Sequence, residues 1–227
     1  PGWISPGPLA VDVERMQQAG ATAVLIERDG VVIGAVAVRD VELLALQTPG
    51  ALVRRAQAVP GHRPERPGVS RPGLVGVYVL GEPDANGKPA IDEPSLRAVA
   101  EHLQENGPAG IEVVTAAPRL LSLSADLAAT VAVDADATTV IARLLTAIDQ
   151  YFNPYVGQDG HGWPFGGAIR HADALTHLVS LPGVEAVDQL TFIVDGQRHR
   201  ACTDITLPAH TLLWPRDHRV IVTGGRR

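Results

Sequence analysis

Asp159 and His161 stand close together in a glycine-rich stretch, Gly157-Gln158-Asp159-Gly160-His161-Gly162-Trp163-Pro164-Phe165-Gly166-Gly167. An acid beside an imidazole offers the residue types of a metal site or of a general acid–base pair. Backbone N–H groups left bare by glycine suit anion binding. Each of these chemistries has further requirements. A phosphate-cradling loop needs Lys and then Ser or Thr after its last glycine, and here Ala168-Ile169 follow. A dinucleotide fingerprint follows a strand, whereas a pattern of helical period precedes this loop. Neither a His-Glu-x-x-His motif nor a Gly-x-Ser-x-Gly elbow is present. His171 and His177 fall roughly 240° apart around a helix and share no face. His62, His102, His199, His210 and His218 are scattered.

The structural account explains more of the loop. Asp159-Gly160 favours a turn, Pro164 fixes φ between Trp163 and Phe165, and Gly166-Gly167 permits close backbone approach before the next helix. Asp159, Gly160, Gly162, Trp163, Pro164, Phe165 and Gly166 thus form a connector pinned by aromatic anchors, of a kind that also suits a subunit interface. No catalytic, cofactor or metal residue is assigned. The alternatives are a metal-dependent hydrolase using Asp159 and His161, or a small-molecule sensor of αβ build.

Composition narrows the partners. The chain has 227 residues, enough for one large domain or two small ones. Its residues are 45% apolar but only 4% aromatic, so the core must come from many Ala, Val and Leu contacts in modest αβ layers. A net charge of −6 opposes general nucleic-acid binding, which needs a basic face. The exception is local: Arg54, Arg55, Arg63, Arg66 and Arg71 outnumber Glu65 in one stretch. This reads as a solvated loop or a subunit contact, with Arg54, Arg55 and Arg66 as interface candidates. Cys202, the lone cysteine, excludes an internal disulfide, fits assembly in a reducing cytoplasm and is expected to be a small buried hydrophobe. No run approaches the ~20 apolar residues that span a bilayer, and no signal peptide is visible, so membrane insertion is not expected. The start Pro-Gly-Trp, without an initiator Met, reads as a fragment, a processed form or an incomplete chain.

Four segments must position these residues. Residues 1–38 hold a short helical candidate around Val11–Gln18 and two apolar runs flanking Asp29-Gly30, a strong hairpin signal. Residues 39–121 read as a first αβ module: a short helix at 39–47, strands at 51–59 and 73–80 separated by a Pro- and Arg-rich loop, a helix over "DEPSLRAVAEHLQENG" and a strand at 110–118. Residues 122–196 read as a second. It opens on a long strand with Leu123, Ala125, Leu127, Ala129, Val131 and Val133 on one face and Ser122, Ser124, Asp126 and Thr130 on a wet or partner-facing side. "DADATT" then caps an amphipathic helix whose stripe is Val140, Ile141, Leu144, Leu145, Ile148, Tyr151 and Phe152. The glycine-rich connector, a helix at about 168–180 and a final strand follow. Residues 197–227 read as a short C-terminal β extension. The fold class expected is α+β, two small αβ sandwiches in tandem.

Two resemblances complete the reading. Residues 23–38, "AVLIERDGVVIGAVAV", resemble a hairpin of metal-pumping P-type ATPases. The phosphorylation and later hinge motifs of such pumps are absent, so the pump reading is set aside. The larger resemblance covers residues 36–195. "YFNPYVGQDGHGWPFGGAIRHADALTHLVSLPGVEAVDQLTFIVDG" is similar to the C-terminal region of baseplate J-like proteins, wedge components of contractile phage tails and extracellular contractile injection systems. The pattern lies at Phe152–Pro154, Gly157–Gly166 and Leu181–Val187, with "AVAVRDVELLALQTPGALVRRAQAVPG", "LVGVYVLG", "PSLRAVAEHL" and "GIEVVTAAP" in the expected order upstream. Departures are Gly167, where Arg is common, and His171-Ala172, where Ser-Glu is common. The resemblance implies a non-catalytic protein that assembles with copies of itself and with other wedge subunits into a ring. That ring surrounds the tail hub and spike, contacts sheath proteins and passes on the trigger for contraction. It further implies assembly in the bacterial cytoplasm and residence in a phage tail or extracellular injection particle.

Overall fold

The structure, a computed structural model, describes residues 23–28, 31–107 and 111–226. The chain is an α+β protein that divides into two compact units, Pro1–Pro118 and Arg119–Arg227. The helical candidate at 11–18 and the Asp29-Gly30 turn lie outside the described residues.

In the first unit, β1 (Ala23–Arg28) and β2 (Val31–Ala37) pair antiparallel, Ala23 opposite Ala37. Helix α1 (Val38–Leu46) follows directly. The Pro- and Arg-rich stretch expected as a loop is strand instead: β3 (Arg55–Arg63) and β4 (Arg66–Leu80) form one long hairpin. Pro60 is tolerated because β3 is an edge strand and the ladder shifts register between Pro60 and His62. Tyr78 Oη and His62 Nδ1 close that region at 2.6 Å, and burial, helped by the Glu65 charge, pushes the phenol up to about 12.

Helix α2 (Glu93–Asn106) crosses over to β5 (Glu112–Ala116), which lies parallel to β4. Asp92 caps α2 by accepting the Ser95 N–H at 2.7 Å, and Pro94 sits in the first turn, where its missing N–H costs nothing. The core joins Val41 and Ala45 of α1 and Val99 and Leu103 of α2 to Ala58, Val75, Val77 and Val79 of the sheet. Glu42 ties α1 to the edge strand: its Oε1 accepts both the Ala58 N–H and Gln57 Nε2 at 2.9 Å.

The second unit is built around β6 (Arg119–Asp136), whose side chains alternate as expected from Leu121 to Val131. Val133 is the exception, 83% exposed, because the pairing with β7 (Val184–Val194) ends at Val131. Helix α3 (Ala137–Tyr151) follows, capped by Asp136, which accepts the Thr139 N–H at 2.7 Å. Helix α4 (His171–Val179) precedes β7, and β8 (Gln197–Arg198) extends the sheet beyond it. The expected C-terminal extension belongs to the same sheet: β9 (Thr211–Pro215) and β10 (Arg219–Arg226) both run parallel to β6, on the first and second parts of that strand. No described helix is long and apolar enough to cross a membrane.

Candidate functional site

The glycine-rich connector is held by the residue that ends α3. After Tyr151 and Phe152, the Asn153 side-chain oxygen accepts the N–H groups of Tyr155 (2.8 Å) and Val156 (3.1 Å), turning the chain. The Asn153 carbonyl accepts those of Gly157 (2.9 Å) and Trp163 (2.8 Å), folding the loop back onto its own start. Gly157–Gly160 forms a single helical turn, and the Gly162 N–H closes on the Gly157 carbonyl at 2.7 Å. Gly160 and Gly162 adopt left-handed φ of 90° and 80°, which explains glycine at both.

This folding drives Trp163 into the core of the second unit, 2% exposed. Its ring lies 4.7 Å from Phe152 and 5.7 Å from Tyr151, and Phe152 meets Phe192 of β7 edge-on at 5.5 Å. Tyr151 in turn stacks on His177 of α4 at 4.8 Å. The aromatics therefore join α3, the connector, α4 and β7. Phe165, the second expected anchor, is only half-buried. Beyond it, Gly166 has φ 61° and its N–H donates to the Thr211 carbonyl at 2.9 Å. A Cβ at Gly166 would lie 2.7 Å from Ala209 Cα, so this glycine permits the approach of the C-terminal segment. Ile169 and Ile205 exchange both backbone bonds, at 2.9 and 3.0 Å.

Only one half of the acid–base pair is described. His161 is exposed, and the Asp159 side chain lies outside the described residues. Among the described residues no group of three or more His, Cys, Asp or Glu is arranged to hold a metal. His171 is buried, and its Nε2 donates to the Leu190 carbonyl at 3.0 Å, a structural use of the ring. Cys202 is exposed rather than buried, in a left-handed turn at φ 58°.

Acidic residues from elsewhere in the sequence meet three of the arginines in this stretch. Glu112 of β5 receives Arg63 at 3.4 Å and Arg71 at 3.1 Å, and Glu82 faces Arg54 at 3.5 Å. Arg55 is half-buried, and burial lowers its guanidinium below the ordinary value. Arg66 is exposed where the β3–β4 hairpin turns. Sequence reasoning missed Asn153, Thr211, His218, Glu42 and Glu112. Only Asn153 carried a local signal, an Asn before a proline at a helix end.

No family model matches the chain. Its fold is shared with a chain in the cryo-EM structure of the anti-feeding prophage baseplate, 6-fold symmetrised. The TM-score is 0.59 at 14% identity, over 78% of this chain and 37% of that one. A separate match of 40 residues, 62% identical, joins it to the probable cation-transporting ATPase G of Mycobacterium bovis and of Mycobacterium tuberculosis. That match spans 18% of this chain and 5% of those proteins, the same class of protein that residues 23–38 resemble. It concerns too little of either chain to carry the pumping activity across.

Proposed function

We propose that this chain is a structural, non-catalytic wedge subunit of the baseplate of a contractile injection machine. In this role it joins copies of itself and other wedge subunits in the ring around the hub and spike. It links changes in that ring to the sheath. The observation that carries the reading is the fold shared with a chain of the anti-feeding prophage baseplate over 78% of the present chain. The baseplate J-like pattern at Phe152–Pro154, Gly157–Gly166 and Leu181–Val187 supports it independently of the coordinates.

On this reading the chain works as two modules, 39–121 and 122–196, with flanking segments 1–38 and 197–227. Trp163, Gly162 and Gly166 set the connector's shape, and Asp159, Gly160, Pro164 and Phe165 are its remaining candidate contacts. Arg54 and Arg55, at the open end of the β3–β4 hairpin, and Arg66, at its turn, are further candidate contacts on the first unit. The deciding experiment is electron microscopy of particles recovered with the tagged chain. A ring of subunits at the baseplate containing this chain is expected. A monodisperse protein that never co-purifies with tail-like particles would overturn the proposal.

A further inference from the structure

Strands β9 and β10 lie end to end on one edge of β6, and the residues between them interrupt the ladder opposite Ser124 and Ala125. Two groups from the interruption complete it. The Arg216 N–H donates to the Leu123 carbonyl at 2.9 Å, and the Ala125 N–H donates to His218 Nδ1 at 3.0 Å. Because Nδ1 accepts, a neutral ring carries its proton on Nε2, which faces Asp149 Oδ1 of α3 at 3.1 Å. The His218 side chain is 2% exposed. It therefore replaces a backbone partner inside the sheet and ties β10 to both β6 and α3.

We propose that His218 is a proton-sensitive latch that holds β10 in register on β6 when neutral and releases it when protonated. An imidazolium has N–H at both ring positions, so its Nδ1–H would oppose the Ala125 N–H, donor against donor. The charged groups facing the ring are Asp149 from α3 and Asp217 from the β9–β10 connection. Asp217 is engaged by Arg216 Nε at 2.6 Å, and on β6 the adjacent Asp126 is held by Arg198. Burial holds the imidazole below its ordinary 6.5, outweighing the upward pull of Asp149 and then of Asp217.

The sign follows from linkage. Released β10 exposes a histidine of ordinary affinity, which takes up a proton before the latched one does. The latch is at full strength above the ordinary value of 6.5 and weakens as the pH falls from there through the depressed value. With one proton linked, the opening constant rises about tenfold per pH unit inside that window.

Hydrogen–deuterium exchange of the full chain at several pH values between neutrality and mild acid, corrected for intrinsic exchange rates, tests this. Val220–Thr223 amides are expected to lose protection about tenfold per unit below the ordinary histidine value while β7 amides keep theirs. Parallel loss in β7 and β10, or no loss in β10, overturns the proposal. The variant His218→Asn retains an acceptor near Nδ1 without titrating, and is expected to flatten the pH dependence. An unchanged dependence in that variant also overturns it. A direct NMR titration of His218 in the unaltered chain serves if the variant does not fold. A midpoint below the ordinary value is expected, and one at or above it refutes the latch.

Discussion

At the scale of single residues, the connector's chemistry is packing. Trp163 touches Tyr151 and Phe152 and is almost wholly buried, so Trp163→Ala removes a large aromatic from a site that cannot fully collapse. A loss of about 3–5 kcal/mol is expected in urea denaturation. A loss under about 1 kcal/mol would place the ring outside the core. Gly166→Ala meets two obstacles, a left-handed φ of 61° and a Cβ 2.7 Å from Ala209 Cα. It is expected to cost about 1–3 kcal/mol by the same measurement. His161→Ala, at an exposed position of the same loop, is expected to stay within about 0.5 kcal/mol of the parent. If all three changes cost the same, the connector would not be divided into a buried anchor and an exposed rim.

At the scale of elements, the caps make a prediction about pH. The Asp136 carboxylate accepts from the Thr139 hydroxyl at 2.6 Å and from its N–H at 2.7 Å, and these bonds hold it below its ordinary 3.8. Its stabilisation of α3 is therefore present above that value and lost as the pH falls through the depressed one. Asp136→Ala is expected to melt below the parent at neutral pH, and the gap should close in acid; a constant gap would contradict the cap. This cap was legible in "DADATT", as were helices α1 to α4 and the alternation of β6, because each is a local pattern of period or charge. Pairing partners were not. Nothing around residues 60–72 announces strand, since their prolines and arginines suit one only once β3 and the first part of β4 pair with each other. Nor does the local pattern of β9 or β10 say that both dock parallel on one strand nearly a hundred residues earlier. Glu112 was unreadable as the partner of Arg63 and Arg71 for the same reason. In the connector, the buried role of Trp163 followed from residue type, whereas the Asn153 carbonyl that places it is a backbone group with no signature in the sequence.

At the scale of the whole molecule, the proposed wedge role would put folding and assembly on opposite faces of β6. One face carries Leu121, Leu123, Ala125, Leu127, Ala129 and Val131 into the core of the second unit. The opposite face carries Ser122, Ser124, Asp126, Ala128 and Thr130, and in register beside Ala128 stand Gln189 of β7 and Ile221 of β10, the latter 59% exposed. Small Ser, Ala and Thr side chains with one exposed Ile around Ala128 suit close approach by the proposed neighbouring subunit, and a large charged residue there would block that approach without touching the core. Ala128→Arg is therefore expected to keep the parent's melting temperature to within a few degrees, since surface changes cost little. The same variant is expected to be depleted from purified particles when it competes with the parent chain for incorporation. Trp163→Ala gives the contrasting pattern, with lower stability and lower incorporation together. Equal incorporation of Ala128→Arg and parent would move the proposed assembly contact off this face and onto the connector rim, the Arg54–Arg55 end of the β3–β4 hairpin or its Arg66 turn.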